Sequence, residues 1–169
     1  MKRIAKFEKI SLKQFMNDWI DTFGNQPDHI ITEIYNEIKL PCRKTKFSAG
    51  HDINIPFHAT IKANETLKIP TGIRCEINED YVMLIFPRSS LGIKKNMYIT
   101  NTIPVIDADY YEADNEGHIF LCVKNGGNKV LELKQGEAIV QAVFLPYGVA
   151  DEGIILDRRV GGIGSTNEQ

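Results

Sequence analysis

Apolar side chains recur at intervals of three and four positions in two segments near the N-terminus, the spacing that places them on one helix face. Ser11 followed by Gln14 predicts a capping box at the start of the first helix. Residues 24–27 break the pattern, and Asp28 is predicted to cap the second helix. The pattern therefore predicts an αα-hairpin across residues 11–38. Its apolar stripes are Leu12, Phe15, Met16, Trp19, Ile20 and Phe23, then Ile31, Ile34, Tyr35 and Ile38.

From Leu40 onward the apolar pattern changes to period two, which is typical of strands with one buried face. The runs are short, rich in β-branched residues and separated by turn residues. Many short strands at close spacing predict an all-β sandwich or jelly roll. Residues 4–10 predict the beginning of a strand before the helical hairpin. The other predicted strands are residues 69–77, 81–86, 118–123 and 138–145, with turns at 64–65, 78–80 and 125–128.

Length and composition narrow the class of protein. The 169 residues suit one domain, which we place at residues 1–157, and the glycine-rich residues 158–169 predict a flexible tail. The net charge of -2, with dispersed basic residues, lacks the electrostatic footprint of a nucleic-acid-binding protein. Three widely spaced cysteines and the lack of a long apolar run predict a soluble, cytoplasmic protein without membrane contact.

Five short motifs rich in glycine, serine and acidic residues follow one another along the strand region. They are Ser48-Ala49-Gly50-His51-Asp52, Pro87-Arg88-Ser89-Ser90-Leu91-Gly92, Asn101 with Val105-Ile106-Asp107-Ala108-Asp109-Tyr110, Gly136-Glu137-Ala138-Ile139-Val140-Gln141, and Gly161-Gly162-Ile163-Gly164-Ser165-Thr166. Their order and spacing closely resemble those of the trimeric dUTPase family, the deoxyuridine triphosphate nucleotidohydrolases. The resemblance covers about residues 40–166.

The resemblance implies a distorted β-jelly roll and a homotrimer in which each site borrows motifs from adjacent subunits. It implies hydrolysis of dUTP to dUMP and pyrophosphate by attack of water on the α-phosphorus. Mg²⁺ is the implied cofactor, held by the triphosphate and by waters without direct protein ligands. Asp52 would order the water shell of that ion. His51 stands where most relatives carry a tyrosine, and we interpret it as a structural replacement for that ring.

The resemblance assigns Asp107, on a short predicted hairpin, as the general base. Gln141 would help to hold the attacking water. Tyr110, with Ile106 in the same binding element, would pack under the deoxyribose and leave no volume for a 2′-hydroxyl. Asn101 would donate its amide to the uracil ring. An aspartate near Asn and Pro is more often a turn residue, but the spacing among these side chains favours the catalytic interpretation.

Two motifs are assigned to the phosphates. Ser89 would contact the region that bridges the α- and β-phosphates, and Ser90 would cap the helix that follows. Arg88 would hold phosphate or brace a carboxylate near the active-site acid of a neighbouring chain. In the tail, Arg158 and Arg159 both have a spacing suited to the γ-phosphate, and the choice stays open. The tail residues that would wrap the phosphates and close the site are Gly162, Ile163, Gly164 and Ser165.

Several positions depart from the family pattern. Pro104 replaces a glycine and removes a backbone N–H, and residues 111–116 delay an expected glycine to Gly117. Ile163 replaces the usual lid phenylalanine, which predicts weaker substrate closure and a higher KM. The helical hairpin is an insertion, and its apolar stripes favour packing on the outside of the barrel, with a protein partner as the alternative.

Two other functions fit part of the pattern. A dCTP deaminase shares the fold, the Arg-Ser-Ser-Leu-Gly string and the Ile-Asp element, but it needs a glutamate where this chain has Cys122. A regulatory protein with weak catalysis is suggested by the helical insertion, Pro104 and Ile163. The presence of the candidate base and of all five motifs favours the enzyme.

Overall fold

The computed structural model describes residues 2–151, which form short β-strands with three α-helices and one 3₁₀ helix. This architecture confirms the predicted all-β jelly roll with an N-terminal αα-hairpin. The elements are β1 (Ala5–Lys9), α1 (Leu12–Phe23), α2 (Asp28–Asn36), β2 (His51–Asn54), β3 (Ala59–Ile61), β4 (Thr66–Pro70), β5 (Ile73–Ile77), β6 (Tyr81–Pro87), α3 (Ser89–Lys95), β7 (Met97–Ile99), β8 (Val105–Ile106), the 3₁₀ helix Ala108–Glu112, β9 (Phe120–Asn125), β10 (Leu131–Leu133) and β11 (Ala138–Pro146).

The strands pair antiparallel in four small sheets, with the orders β1-β5, β10-β3, β2-β11-β6-β8 and β4-β9-β7. Most neighbours in these sheets are distant in sequence, so the pairings bring together motifs that lie far apart along the chain. The β2-β11-β6-β8 sheet is the important one for function, because it carries or adjoins residues from four of the five sequence motifs.

Around β6 and β8, the β2-β11-β6-β8 sheet is apolar on both faces. On the inner face, Met83, Ile85 and Ala142 are fully buried in the core. The strand register places Leu84 and Val105 on the opposite face, where they lie side by side. A sheet that faces water on one side normally alternates apolar with polar residues. The apolar residues of this outer face, half-buried or exposed in the single chain, are Val82, Leu84, Phe86, Val105, Val143 and Leu145.

The predicted strand at residues 69–77 is wrong as a single element. It divides into β4 and β5 at Thr71 and Gly72, where Gly72 takes a φ of +72°. The two halves belong to different sheets, since β4 pairs with β9 and β5 pairs with β1. A side chain at position 72 would also collide with Ile38, because its Cβ would lie 2.2 Å from Cδ1 of that residue. The break therefore provides the corner against which the helical hairpin packs.

The helical hairpin begins as predicted but is capped differently. The Ser11 hydroxyl accepts a hydrogen bond from the backbone N–H of Gln14 at 3.1 Å. The reciprocal half of the capping box is absent here, because the Gln14 side chain donates to Asp18 and the Ser11 N–H donates to Glu116 at 2.7 Å. The predicted Asp28 cap is wrong: Pro27 occupies the cap position and no side chain caps this helix.

The hairpin shares the hydrophobic core with the strands. Phe15 and Ile31 are fully buried, and Trp19 is 4% exposed. The Phe15 ring packs 5.8 Å from the ring of Trp19 and 5.6 Å from that of Tyr35. This packing supports the interpretation that the apolar stripes serve the fold, and it makes the insertion part of the domain core.

We expect Phe15→Ala to destabilise the protein by about 3–5 kcal/mol, because it removes a fully buried ring and leaves a cavity. Urea unfolding followed by circular dichroism measures this loss. Ile30→Ala is the matched control, since Ile30 lies on the same hairpin but is 39% exposed, and it should cost less than about 1 kcal/mol. Equal losses for the two variants would contradict a core role for the hairpin.

Within residues 2–151, no helix is long and apolar enough to cross a bilayer. The predicted tail, with Arg158, Arg159, Gly162 and the other residues assigned to phosphate closure, lies outside the described residues.

Candidate active site

One group of predicted site residues meets where β2, β11 and the end of β6 lie side by side. Asp52 on β2 is directly opposite Gln141 on β11. Arg88 follows β6, and its Nε lies 3.3 Å from Oδ1 of Asp52, while its Nη1 donates to the carbonyl of Ala138 at 3.3 Å. Asp52 is only 6% exposed. A buried carboxylate needs such a partner, so within the single chain Arg88 braces Asp52.

The second carboxylate oxygen of Asp52 bears on the metal prediction. Oδ2 is buried and has no hydrogen-bond partner, and an unsatisfied buried acceptor favours a bound donor such as water. In the described part of the chain, no cluster of three His, Cys, Asp or Glu side chains could hold a metal. The unpaired Oδ2 fits the prediction that Asp52 orders a water of the Mg²⁺ shell, because this ion usually keeps several waters.

Gln141 is packed tightly against the first motif. Gly50 approaches it so closely that a Cβ at position 50 would lie 2.4 Å from its Oε1. The Gln141 amide lies 3.5 Å from the carbonyl of Pro87, which it reaches as a weak donor. The glycine of the first motif thus makes room for the glutamine of the fourth, and the half-buried amide keeps its oxygen close to Gly50.

Ser89 and Ser90 open α3, and both are exposed. The prediction that Ser90 caps this helix is wrong. Arg88 takes the cap position with extended backbone angles, and no side chain makes a capping hydrogen bond. The serine at position 90 lies inside the first helical turn, because the helix starts two residues earlier than a Ser90 cap would place it, where the backbone N–H of Arg88 bonds to the carbonyl of Ile139 on β11.

The predicted hairpin around Asp107 is wrong. β8 pairs with β6, β7 pairs with β9, and after Asp107 the chain turns into the 3₁₀ helix. The turn begins at Asp107 itself, whose carbonyl accepts the N–H of Tyr110 at 3.2 Å. Pro104 does not disturb the pairing, because its carbonyl accepts the N–H of Ile85 at 3.1 Å. Asp107 is therefore presented at a strand end, and it is exposed.

The residues assigned to the base and sugar lie near Asp107 but differ in exposure. Asn101 is exposed in a tight turn in which Thr102 takes a φ of +66°. Tyr110 is only 7% exposed, and its hydroxyl donates to the carbonyl of His118 at 2.6 Å. The same hydroxyl accepts a hydrogen bond from Asn115 at 2.9 Å. The tyrosine hydroxyl is thus held by two hydrogen bonds, and the side chain is almost fully buried in the single chain.

The two groups of site residues are separated within one chain. Gln141 is opposite Phe86 on β6, whereas Ile106, which precedes Asp107, is opposite Met83. Three residues along the strand and two strand spacings separate Ile106 from Gln141, which corresponds to roughly 14 Å between their Cα atoms. Side chains of this length do not meet on one water molecule across such a gap. The chain therefore presents two half-sites on one sheet.

His51 packs as an aromatic residue. Its ring lies 5.7 Å from that of Phe7 and 5.5 Å from that of Phe144. Burial lowers the pKa of this histidine, which favours the neutral ring. These contacts support its interpretation as a replacement for an aromatic residue.

Three polar residues that no sequence motif contains join the helical hairpin to the segment that follows Tyr110. Asp18 on α1 contacts the fully buried His118, and Glu116 accepts two hydrogen bonds from Ser11. Sequence spacing gives no signal for these contacts, since the paired residues are about a hundred positions apart. The local sequence gives one clue that the segment after Tyr110 is unusual, because the glycine expected soon after the tyrosine comes only at Gly117.

Comparison with known proteins gives a consistent answer. A family model described as dUTPase matches residues 36–167. The deoxyuridine 5'-triphosphate nucleotidohydrolase of Lactococcus lactis is 38% identical over 141 residues, covering 81% of this chain and 94% of that relative. The enzyme of the same name from Haemophilus influenzae is 34% identical over 146 residues, covering 82% and 93% of the two chains.

Solved structures agree with the sequence comparison. The dUTPase from Streptococcus mutans superimposes with a TM-score of 0.65 at 32% identity, covering 86% of this chain and 98% of its own. The dUTPase from phage phi11 of S. aureus gives a TM-score of 0.66 at 17% identity, covering 92% and 97%, which supports the fold alone. A mutant of that phage enzyme is described as coordinating a structural Mg(II) ion.

Proposed function

This chain belongs to the dUTPase family, and from that premise we propose that it hydrolyses dUTP to dUMP and pyrophosphate at sites shared between subunits. The observation that carries the proposal is the division of the predicted residues into two half-sites on one sheet. One half-site contains Asp52, Arg88, Ser89 and Gln141. The other presents the exposed carboxylate of Asp107.

In the proposed reaction, Asp107 accepts a proton from a water molecule as the water oxygen bonds to the α-phosphorus. The bond from the α-phosphorus to the α,β-bridging oxygen breaks, and pyrophosphate leaves with its electrons. Gln141 holds the attacking water through its side-chain amide. The unpaired Oδ2 of Asp52 would hold the water shell of a Mg²⁺ ion on the triphosphate, and that ion would supply neutralisation of the phosphate charge.

The remaining residues of the proposed site bind the substrate. Asn101 donates to the uracil, and Tyr110, with Ile106 beside it, lies against the deoxyribose and excludes a 2′-hydroxyl. Ser89 and Ser90 donate to phosphate oxygens, since both are exposed at the start of α3. Arg88 acts mainly by bracing Asp52, which it already contacts in the single chain.

We further propose that residues 1–157 form one domain and that residues 158–169 close the site over the phosphates. In this proposal either Arg158 or Arg159 contacts the γ-phosphate. The aliphatic Ile163 covers the uracil less well than an aromatic ring would. The residues that wrap the phosphates are Gly162, Gly164 and Ser165. The support for these assignments is the sequence motif, because the residues lie outside the described part of the chain.

The proposed assembly is a homotrimer, and the outer face of the β2-β11-β6-β8 sheet supports it. Two apolar residues of this face stay largely exposed in the single chain, Val105 at 53% and Leu145 at 44%. An apolar sheet face is stable only when something covers it. Gln141 lies on the same face. Asp107 continues the edge strand β8 with extended backbone angles. A subunit that covers this face would therefore meet both half-sites. A head-to-tail ring of chains joins one half-site to the other.

The direct test is pyrophosphate release from dUTP, dCTP, dTTP and UTP in the presence of Mg²⁺. We expect turnover of dUTP and a kcat/KM for each other nucleotide at least about a hundredfold lower. Cytosine would leave buried polar groups of the site unpaired, the 2′-hydroxyl of UTP would meet Tyr110, and the methyl group of dTTP would lack room beside the uracil site. Release of ammonia from dCTP would instead establish the deaminase. Lack of turnover of any nucleotide would contradict the proposed activity and favour the regulatory alternative.

A protein partner at the helical hairpin is a second proposal. An open groove on this side of the molecule is lined by Trp19, Phe23, Ile34 and Phe57, and aromatic side chains are frequent in protein interfaces. Phe23→Glu should abolish partner binding there and leave dUTP turnover unchanged.

We also propose that the protein acts in the cytoplasm, which the three free cysteines support. Burial raises the pKa of the Cys75 thiol to about 12, so this thiol is unreactive.

A further inference from the structure

We propose that Asp18 and His118 are positioning residues that hold Tyr110 in place and thereby set the preference for deoxyribose over ribose. This inference rests on the proposed function, because it concerns the sugar-binding side of the same site. It assigns a role to the helical hairpin that the family resemblance does not contain, since Asp18 lies on the inserted helix α1.

The orientation of His118 is fixed from both sides of its ring. The ring is fully buried, and its Nε2 accepts the backbone N–H of Gly72 at 2.8 Å. Because Nε2 accepts, the ring proton lies on Nδ1, which donates to Oδ2 of Asp18 at 2.6 Å. Burial lowers the pKa of His118, in agreement with this neutral form. A neutral imidazole between a backbone donor and a carboxylate has only one satisfied orientation.

The backbone of His118 passes this constraint to Tyr110. Its carbonyl accepts the Tyr110 hydroxyl at 2.6 Å, and its N–H donates to the carbonyl of Asn115 at 3.1 Å. The Asn115 amide in turn donates to the Tyr110 hydroxyl at 2.9 Å. These contacts form a closed loop of hydrogen bonds around the hydroxyl. A shift of His118 would therefore move the ring of Tyr110, three residues after Asp107.

A second contact attaches the chain segment between Tyr110 and His118 to the helical hairpin. Glu116 accepts hydrogen bonds from the backbone N–H of Ser11 at 2.7 Å and from its hydroxyl at 2.6 Å. Glu116 takes a φ of +58°, which is unfavourable for a residue with a side chain, and the following Gly117 has no room for one. A Cβ there would lie 2.7 Å from the carbonyl of Tyr110. The loop conformation thus depends on contacts with α1.

Whether a 2′-hydroxyl fits in the proposed site depends on the position of the Tyr110 ring. A 2′-hydroxyl adds a single oxygen atom, so a displacement of the ring by a fraction of an ångström changes whether ribose fits. Asp18→Ala removes the acceptor of a buried N–H and leaves that group unsatisfied, which favours reorientation of the imidazole. Asp18→Asn keeps an oxygen acceptor at the same place and should preserve the orientation of the ring.

The test compares kcat/KM for dUTP and for UTP in the full-length protein. We expect Asp18→Ala to lower the dUTP-to-UTP ratio by about tenfold, since small misplacements near a reacting substrate have effects of this size or larger. Asp18→Asn should restore most of the ratio. Asp21→Ala, an exposed acid on the same helix, should leave the ratio unchanged. Ile31→Val controls for stability, because it weakens the hairpin core without touching a polar contact.

An unchanged ratio in Asp18→Ala, or an equal fall in Ile31→Val, would overturn the inference. Calorimetric titration with dUMP and UMP provides a second measurement that needs no turnover. We expect the preference for dUMP to fall in Asp18→Ala, and an unaltered preference would also overturn the inference. Failure of the wild type to hydrolyse dUTP is a different result, since it would contradict the proposed function and leave the binding comparison to decide the role of Asp18.

Discussion

Replacing Asp107 by asparagine is expected to lower kcat for dUTP by about a thousandfold, because loss of a positioned general base typically costs two to four orders of magnitude. The asparagine keeps the size and polarity of the side chain but does not accept the proton from the attacking water. KM should change little, since the triphosphate and the uracil ring of dUTP contact other residues. Steady-state pyrophosphate release with Mg²⁺ measures both quantities.

Asp114→Asn is the control for this substitution, because it removes an exposed carboxylate further along the same segment. We expect it to retain activity within about twofold of the wild type, as do most surface substitutions away from a site. Equal activity in Asp107→Asn and in the wild type would remove Asp107 from the mechanism. The family assignment would then stand without the proposed base.

The double variant Ser89→Ala/Gln141→Ala is expected to lower kcat/KM for dUTP by at least about a thousandfold, because a single lost donor to a developing oxyanion costs about a hundredfold or more. The two residues lie on the half-site that is braced by Asp52 and Arg88. Neither side chain is in the hydrophobic core, so the variant should fold normally. Circular dichroism and thermal unfolding check this before the pyrophosphate assay.

Gln135→Ala provides the comparison for this variant. Gln135 precedes β11, and its side chain donates to the carbonyl of Pro56 at 3.0 Å, in the groove that Trp19 and Phe57 line. Loss of this amide should affect stability slightly and turnover very little. If Ser89→Ala/Gln141→Ala retained a third or more of wild-type kcat/KM, these two residues would have no part in the proposed reaction.

The sequence predicted the elements that depend on local patterns. The helical hairpin follows from apolar spacing and from Ser11, and strands β6 and β11 follow from short apolar, β-branched runs bounded by turn residues. The family motifs predicted a hairpin at Asp107 and a helix capped by Ser90, whereas the structure has a strand end at Asp107 and Arg88 at the helix cap. Local chemistry therefore accounts for most of the secondary structure, while the roles of the site residues stay predictions from the family motifs.

The errors arose where distant residues decide the local structure. Residues 69–77 have a uniform strand pattern, but their division at Gly72 depends on which sheets the two halves join. The segment after Asp107 has the composition of a hairpin, yet β8 pairs with β6 and the chain turns into a 3₁₀ helix. The contact between Asp18 and His118 has no trace in either local sequence, because it joins residues a hundred positions apart along the chain.

The measurement that most directly tests the shared site is pyrophosphate release by a mixture of two inactive variants, Asp107→Asn and Ser89→Ala/Gln141→Ala. After unfolding and refolding together at equal concentration, random assembly into rings should give about a quarter of the sites two intact halves from different chains. We predict recovery of about a quarter of wild-type activity, while the same variants refolded separately and then mixed briefly stay inactive. A co-refolded mixture as inactive as each variant alone would contradict a site shared between subunits.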